Sequence, residues 1–336
     1  MEYRKKDSMK KIILFIIVIT LLAGGIPFLY LCSYQSEQAE KKVSIIFISK
    51  RLDENNDFWS SMVEGIDMAA SEYDIDIELM GPALETEYDL QKKMILEAIA
   101  KKPDAIALVP IDYSITVPYA KQIEEAGIKL VLMDSVMEEE VGLSVVSTDN
   151  YEGGRKMGEY LKEYAGHSSV IGIVAHSPSS STAIDRERGV RAGLGGYADH
   201  IVDKVYCYSD SVKAYEATLN MLEKNPEINM IVGLNEDSSV GAARAVKDAG
   251  LAEQIRMIGF DSSMEQVQFL EEGVFNAIVV QKPLNMGYLG IKTAYQTVIG
   301  ETVDKEIDSG SKLITKETIY DKENEKLLFP FNQMHE

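Results

Sequence analysis

Between residues 43 and 315 the chain alternates short unbroken apolar runs with longer segments whose apolar residues recur every three or four positions. The unbroken runs predict strands at 43–49, 75–80, 105–109, 129–133 and 144–147. The series continues at 170–175, 201–208, 230–233, 256–260, 277–280 and 312–315. The segments between them carry helix-spaced sets such as Met62, Ile66, Ala69, then Met94, Ile95, Ala98, and later Val240, Ala243, Val246. That spacing places each set on one face of a helix. Gly127 and Gly250 stand where two of these helices would stop, just before the next strand. Unbroken apolar strands alternating with helices imply parallel sheets covered on both faces. Eleven strands exceed what one open twisted sheet usually holds, so an α/β architecture of two doubly wound parallel-sheet lobes is expected. The break is placed near Thr148-Asp149-Asn150, after the fifth strand.

The N-terminus follows a different pattern. Residues 12–32 form an uncharged apolar run of 21 positions, long enough to span a bilayer as one helix. Arg4, Lys5, Lys6, Lys10 and Lys11 precede it, and no such cluster follows. The positive-inside bias then leaves 1–11 as a cytoplasmic tail and puts everything after the span outside the cell. An uncleaved anchor is the preferred reading of 12–32. A cleaved secretory signal and lipid attachment at Cys32 are the alternatives, the latter weakened by Leu31 immediately before the cysteine. All three place the folded body outside the membrane, attached through the N-terminal segment or released from it.

Composition adds exclusions. Formal net charge is −20, and the N-terminal 32 residues are themselves basic, so the body is more acidic still. Such a surface repels phosphate backbones, and no nucleic-acid ligand is expected. Cys32 and Cys207 offer no disulfide framework. The four histidines (His167, His176, His200, His335) lack zinc-ligand spacing, so no metal is expected. A Rossmann-type enzyme needs a glycine-rich turn directly after a strand. Here the first strand runs into Lys50-Arg51-Leu52-Asp53 with no glycine. No nucleophile elbow or P-loop is present. Neither a catalytic residue nor a cofactor is expected.

In open α/β sheets ligands bind beyond the carboxyl ends of the strands, where loops converge. The residues just past the predicted strands are Asn56, Phe58 and Trp59, then Asp134 and Ser135, then a serine-rich loop leading to Arg186. Asn235 with Glu236 and Asp237, Asp261, and Gln281 complete the set. Aromatic faces stack on the apolar face of a sugar ring, while amides and carboxylates bond vicinal hydroxyls. Each residue also has a plainer reading: Asn235 and Asp261 as helix N-caps, Phe58 and Trp59 as core contacts, Arg186 as a surface ion-pair partner. Their shared position at one end of the sheets favours binding.

These residues carry a family resemblance. Asn55-Asn56-Asp57-Phe58-Trp59, Leu132-Met133-Asp134-Ser135, Thr148-Asp149-Asn150, Arg186-Glu187-Arg188-Gly189, Leu234-Asn235-Glu236-Asp237, Ile258-Gly259-Phe260-Asp261 and Val279-Val280-Gln281-Lys282-Pro283 occur in order. In them the chain resembles the type I periplasmic sugar-binding proteins of the ribose- and galactose-binding branch. It is more distantly similar to the ligand domain of lac-repressor-like regulators. The resemblance covers roughly 43–313. Beyond the short polar linker read at 33–42, it implies an N-terminal lobe of 43–148 plus 282–310 and a C-terminal lobe of 149–281 plus 311–336, joined by three crossings. It also implies that Asn56, Phe58, Trp59 and Asp134 line one face of a cleft and Arg186, Asn235, Asp261 and Gln281 the other. The implied function is capture of a small sugar or polyol by domain closure, for a membrane ABC permease. The alternative is a sensor presenting its closed form to a receptor such as a sensor histidine kinase. Ribose-type members often carry arginine where this chain has Ser135, which removes a fork of donors. Arg51, in the lengthened first loop, is the candidate to restore a cation.

Overall fold

The computed structural model describes residues 42–328. The span 12–32, the tail before it and the lipid-attachment alternative lie outside the described residues. Among the described residues no helix is long and apolar enough to cross a membrane.

The first six-stranded sheet is built from β1 (Ser44–Ile48), β2 (Asp76–Met80), β3 (Ala105–Leu108), β4 (Lys129–Met133), β5 (Ser144–Ser147) and β11 (Glu306–Asp308). Its spatial order is β11-β5-β4-β3-β1-β2, and every pair in it is parallel. The alternation of side chains splits β1 between two cores. Ile45 and Phe47 pack with Met62 and Ile66 of α1 (Asp57–Glu72) and with Met286 and Ile291 of α9 (Pro283–Val298). Ile46 and Ile48 face the opposite way, onto Ile95 and Ala98 of α2 (Tyr88–Lys101) and Ile123 of α3 (Val117–Glu125).

The second sheet repeats the plan. It comprises β6 (Ile171–Ala175), β7 (Ile201–Tyr206), β8 (Met230–Gly233), β9 (Arg256–Phe260), β10 (Ala277–Gln281) and β12 (Ser311–Thr315). The order is β12-β10-β9-β8-β6-β7, parallel throughout except for β12 against β10. α4 (Asn150–Lys162) and α5 (Ser181–Leu194) cover one face through Met157, Leu161 and Val190. α6 (Ser211–Lys224), α7 (Glu236–Asp248) and α8 (Met264–Glu272) cover the other through Met221, Val246 and Phe269. A short α10 (Lys322–Leu328) follows β12.

The chain passes between the sheets three times: after β5, after β10, and between β11 and β12. Two of these crossings are bonded together, Ser309 donating its N–H to the Ser147 carbonyl at 2.8 Å, with Thr148 Oγ1 3.2 Å from Ser309 Oγ. Gly310 turns the last crossing at φ 87°, a conformation that glycine adopts without a steric cost.

Two elements differ from the apolar pattern. β11 is a twelfth strand whose only apolar residue is Ile307, so no run of hydrophobic positions announces it. It exists because it pairs with β5 at the sheet edge. The expected strand at 201–208 ends at Tyr206, since Tyr208 and Ser209 turn into the left-handed region at φ 55° and 54°. Gly127 and Gly250 follow α3 and α7 at positive φ, 76° and 69°.

Candidate ligand-binding cleft

The carboxyl ends of both sheets face each other across a cleft, and six strand ends deliver polar groups to it. β1 delivers Lys50, β4 Asp134, β6 His176, β8 Asn235, β9 Asp261, and β10 ends on Gln281. Asn56, Phe58 and Trp59 enter from the start of α1, Glu85 from the loop after β2, and Thr182 and Arg186 from α5. The cavity these residues enclose measures about 30 Å³, room for little more than water. The lobes are therefore drawn together, and a sugar must part them to enter.

Several hydrogen bonds join the lobes around this cavity. Arg51 Nη1 donates to Asp237 Oδ2 at 2.9 Å and to the Ser209 carbonyl at 3.2 Å. Ser209 Oγ donates to Glu85 Oε2 at 2.9 Å. The Phe58 N–H reaches Glu236 Oε2 at 3.3 Å, and the Met264 N–H reaches Asp57 Oδ2 at 2.9 Å. Tyr113 and Ser179 bond through their backbones.

Asp134 and Asp261 occupy matching places in the two lobes. Each follows the fourth strand along its sheet, and each gives its N–H to the next strand: Asp134 to Val146 and Asp261 to Val279. Both adopt positive φ, 59° and 77°, a conformation that costs energy in a residue with a Cβ and that clusters at binding sites. The turn aims two buried carboxylates into the cleft from opposite sides.

Their partners differ. Lys50 Nζ lies 2.8 Å from Asp134 Oδ2 and 3.2 Å from Ser135 Oγ, and Ser135 donates to Asp134 at 2.7 Å. Burial works against both charges, but each holds the other ionised: Asp134 ends below its usual range and Lys50 above. Lys50 thus supplies the cation expected from Arg51, which sits instead at the rim, across from Asp237. Ser135 does not line the cavity; it braces Asp134 from behind.

In the second lobe Asp261 accepts from Gln281 Nε2 at 2.6 Å and from the Glu236 N–H at 2.8 Å. Burial pushes its carboxyl up, against the pull of Arg186. Arg186 is buried, bonds Asn150 Oδ1 at 2.8 Å and the Leu234 carbonyl at 2.7 Å, and lies 3.8 Å above the Phe260 ring. These bonds aim it inward, so it is not a surface ion-pair residue. Its helix is held by a close crossing on α4: a Cβ on Gly154 would stand 2.1 Å from the Arg186 carbonyl oxygen.

Asn56 and Asn235 both cap helices, accepting from Trp59 and Ser238 backbone N–H groups, while also lining the cavity. Asp261 does not cap α8, the helix that follows it, which Ser263 caps; it accepts instead from the first N–H of α7. Trp59 packs in the core and lines the cavity, its ring 4.9 Å from Phe58 in an edge-on pair.

Eight of the nine residues singled out from the sequence therefore meet at one cavity. Lys50, Glu85, His176, Thr182, Glu236 and Asp237 meet there too. Glu236 and Asp237 were legible as neighbours of Asn235, and Lys50 and His176 directly follow predicted strands, so the same strand-end rule points to them; Glu85 and Thr182, brought in by a loop and by α5, carried no such signal. Burial raises Glu236 well above the usual carboxylate range, reinforced by Asp261, Asp237 and Asp57. Burial likewise pushes Asp237 up to about 7, against the pull of Arg51. A larger cavity of about 500 Å³ opens beside the return crossing at 281–285 and shares Phe58, Glu236, Asp261 and Gln281 with the cleft. Fewer strand ends converge on it. Among the described residues no cluster of three or more His, Cys, Asp or Glu side chains could hold a metal ion.

Residues 45–302 match the family model described as a periplasmic binding protein domain. The chain belongs to the type I periplasmic sugar-binding proteins, in the ribose- and galactose-binding branch. It is 26% identical over 296 residues to a D-ribose/D-allose-binding protein of Pseudomonas aeruginosa, covering 86% of this chain and 92% of that one. A sugar transporter structure from Clostridium phytofermentans is 43% identical, with a TM-score of 0.77, over 82% of this chain and 99% of its own. A solute-binding protein of an ABC transporter from Agrobacterium vitis, with bound D-fucose, is 30% identical, with a TM-score of 0.81, over 85% and 99% of the two chains. The family consists of extracytoplasmic sugar-binding transport proteins, not enzymes.

Proposed function

We propose that this periplasmic binding protein captures a small, uncharged sugar or polyol between its lobes and delivers it to an ABC permease. Residues 12–32 would hold it at the outer face of the membrane. The convergence of Trp59, Phe58, Asp134 and Asn56 from one lobe with Arg186, Asn235, Asp261 and Gln281 from the other carries this reading. Flat rings and planar hydrogen-bonding groups suit a ring with an apolar face and hydroxyls at its edge. Closure follows from differential affinity: a ligand touching both walls favours the closed form over the open one. The Lys50–Asp134 pair leaves neither charge free for an ionic ligand, which favours a neutral one. A sensor role uses the same site and closure; co-purification with a permease rather than a histidine kinase separates the two.

Trp59 is the only tryptophan in the chain, so its emission reports on the cleft directly. Titrating the protein with pentoses, hexoses and polyols should shift Trp59 fluorescence and raise the melting temperature for at least one of them. No response to any member of the panel in either measurement refutes the sugar reading.

A further inference from the structure

Among the described residues four buried side-chain polar atoms lack a hydrogen-bond partner: Arg51 Nε, His176 Nδ1, Gln281 Oε1 and Asn324 Oδ1. Two of these, on His176 and Gln281, belong to residues that line the cleft. Leaving a buried donor or acceptor unmade is costly, so such atoms mark places where a partner is supplied from elsewhere. Gln281 must turn its amide nitrogen to Asp261 Oδ1, which leaves its oxygen as an open acceptor.

His176 follows β6 directly and is 1% exposed. Its Nε2 lies 2.8 Å from Thr182 Oγ1, which is itself 2.8 Å from Ser180 Oγ. This short relay pins the ring and uses up one nitrogen. Burial, then the nearby Arg186 and Lys50 cations, keep the imidazole neutral, well below its usual 6.5. A neutral imidazole has one donor and one acceptor nitrogen. With Nε2 committed to the threonine, Nδ1 is the one nitrogen left without a partner, on a pinned ring of a residue that lines the cavity.

We infer that His176 is a ligand-contacting specificity residue, its Nδ1 bonding one particular hydroxyl of the sugar or polyol bound in the cleft. This rests on the proposed function and deepens it. A site built to bond a hydroxyl rejects the analogue that lacks it, because the protein atom is then left buried and unpaired. His176 therefore selects for the presence of a hydroxyl at one position of the ring, and burial, aided by Arg186 and Lys50, keeps the imidazole neutral while it does so.

The test takes the sugar that the unaltered full chain binds most tightly, together with its complete set of monodeoxy analogues. Each is titrated calorimetrically into the unaltered chain, into His176→Phe, which keeps a flat ring but no nitrogen, and into His176→Asn, whose amide can stand where Nδ1 stood. In the unaltered chain one deoxy analogue should bind about 5- to 150-fold more weakly through loss of the His176 contact. His176→Phe should bind the parent sugar more weakly by a similar factor and lose discrimination at that position alone. His176→Asn should restore part of it. Unchanged parent affinity in His176→Phe, or equal weakening for parent and every analogue, overturns the assignment. Where melting shows that His176→Phe does not fold, His176→Asn decides: a selectivity profile identical to that of the unaltered chain overturns it, and a change confined to one position supports it. Failure of the unaltered chain to bind any sugar refutes the underlying function and this inference with it. Binding with unaltered selectivity in the variants refutes the inference alone.

Discussion

Replacing Arg51 with alanine removes the guanidinium that ties the first loop of one lobe to the second lobe at the rim of the cleft. The Arg51 guanidinium makes three polar contacts: to Asp53 in its own loop, and to Asp237 and the Ser209 carbonyl across the cleft. The contact with Asp53 is local and exists whether the lobes are open or closed, so it cancels in the equilibrium. Those with Asp237 and Ser209 exist only on closure, and only such contacts change ligand affinity. The Arg51–Asp237 pair is largely shielded, its side chains 12% and 13% exposed, so it exceeds the few tenths of a kcal/mol typical of an open surface pair. Parting the lobes returns both ends to water, which offsets much of the gross attraction, and about 1–2 kcal/mol remains for closure. That corresponds to about 5- to 30-fold weaker sugar binding. Calorimetric dissociation constants for Arg51→Ala, Asp237→Asn and the double variant form a cycle that isolates the pair from its surroundings. The reasoning is refuted if Arg51→Ala binds within twofold of the unaltered chain, or if the two changes are strictly additive.

The acidic rim makes closure pH-dependent. Asp237 is raised from 3.8 to about 7 by burial, with Glu85 and Asp261 adding to it and Arg51 opposing. The closed form thus holds more protons than the open one between those values, so affinity should fall as pH rises from about 5 to 8. Arg51→Ala should steepen that fall and Asp237→Asn should flatten it, read as dissociation constants at pH 5.5 and 8; the opposite slope disproves the assignment. Packing offers a test remote from charge. Gly154→Ala places a methyl 2.1 Å from the Arg186 carbonyl oxygen, and rigid backbone on both sides cannot yield cheaply. Overpacking of this kind costs about 1–3 kcal/mol, so the melting temperature should drop and sugar binding weaken as Arg186 shifts; an unchanged melting curve contradicts the close-crossing account.

The strand–helix rhythm, the division into two sheets and most of the cleft were legible from the chain alone, because each is a local property. Short apolar runs such as 129–133 and 256–260, alternating with helix-length segments, read as buried strands, and whatever follows a parallel strand must emerge at the same end of its sheet. That reasoning reached Asp134, Asp261, Asn235 and Gln281 without any knowledge of what they touch. What the tertiary structure decided are partnerships between residues far apart in the chain. Lys50 meets Asp134 across 84 positions, and Arg51 meets Asp237 across 186. Reading the first loop alone favoured Arg51 as the cleft cation, since both residues are basic and adjacent; only the pairing of β1 beside β3, with β4 next, sets Lys50 over Asp134. β11 was invisible for the same reason, being a triplet with a single apolar residue made into a strand by the edge it completes. His176 looked like one of four scattered histidines until β6 ended beside α5 and left its Nδ1 buried without a partner. Periodicity reports which side of an element faces apolar surroundings, whereas burial of a specific polar atom depends on elements that arrive from elsewhere in the chain.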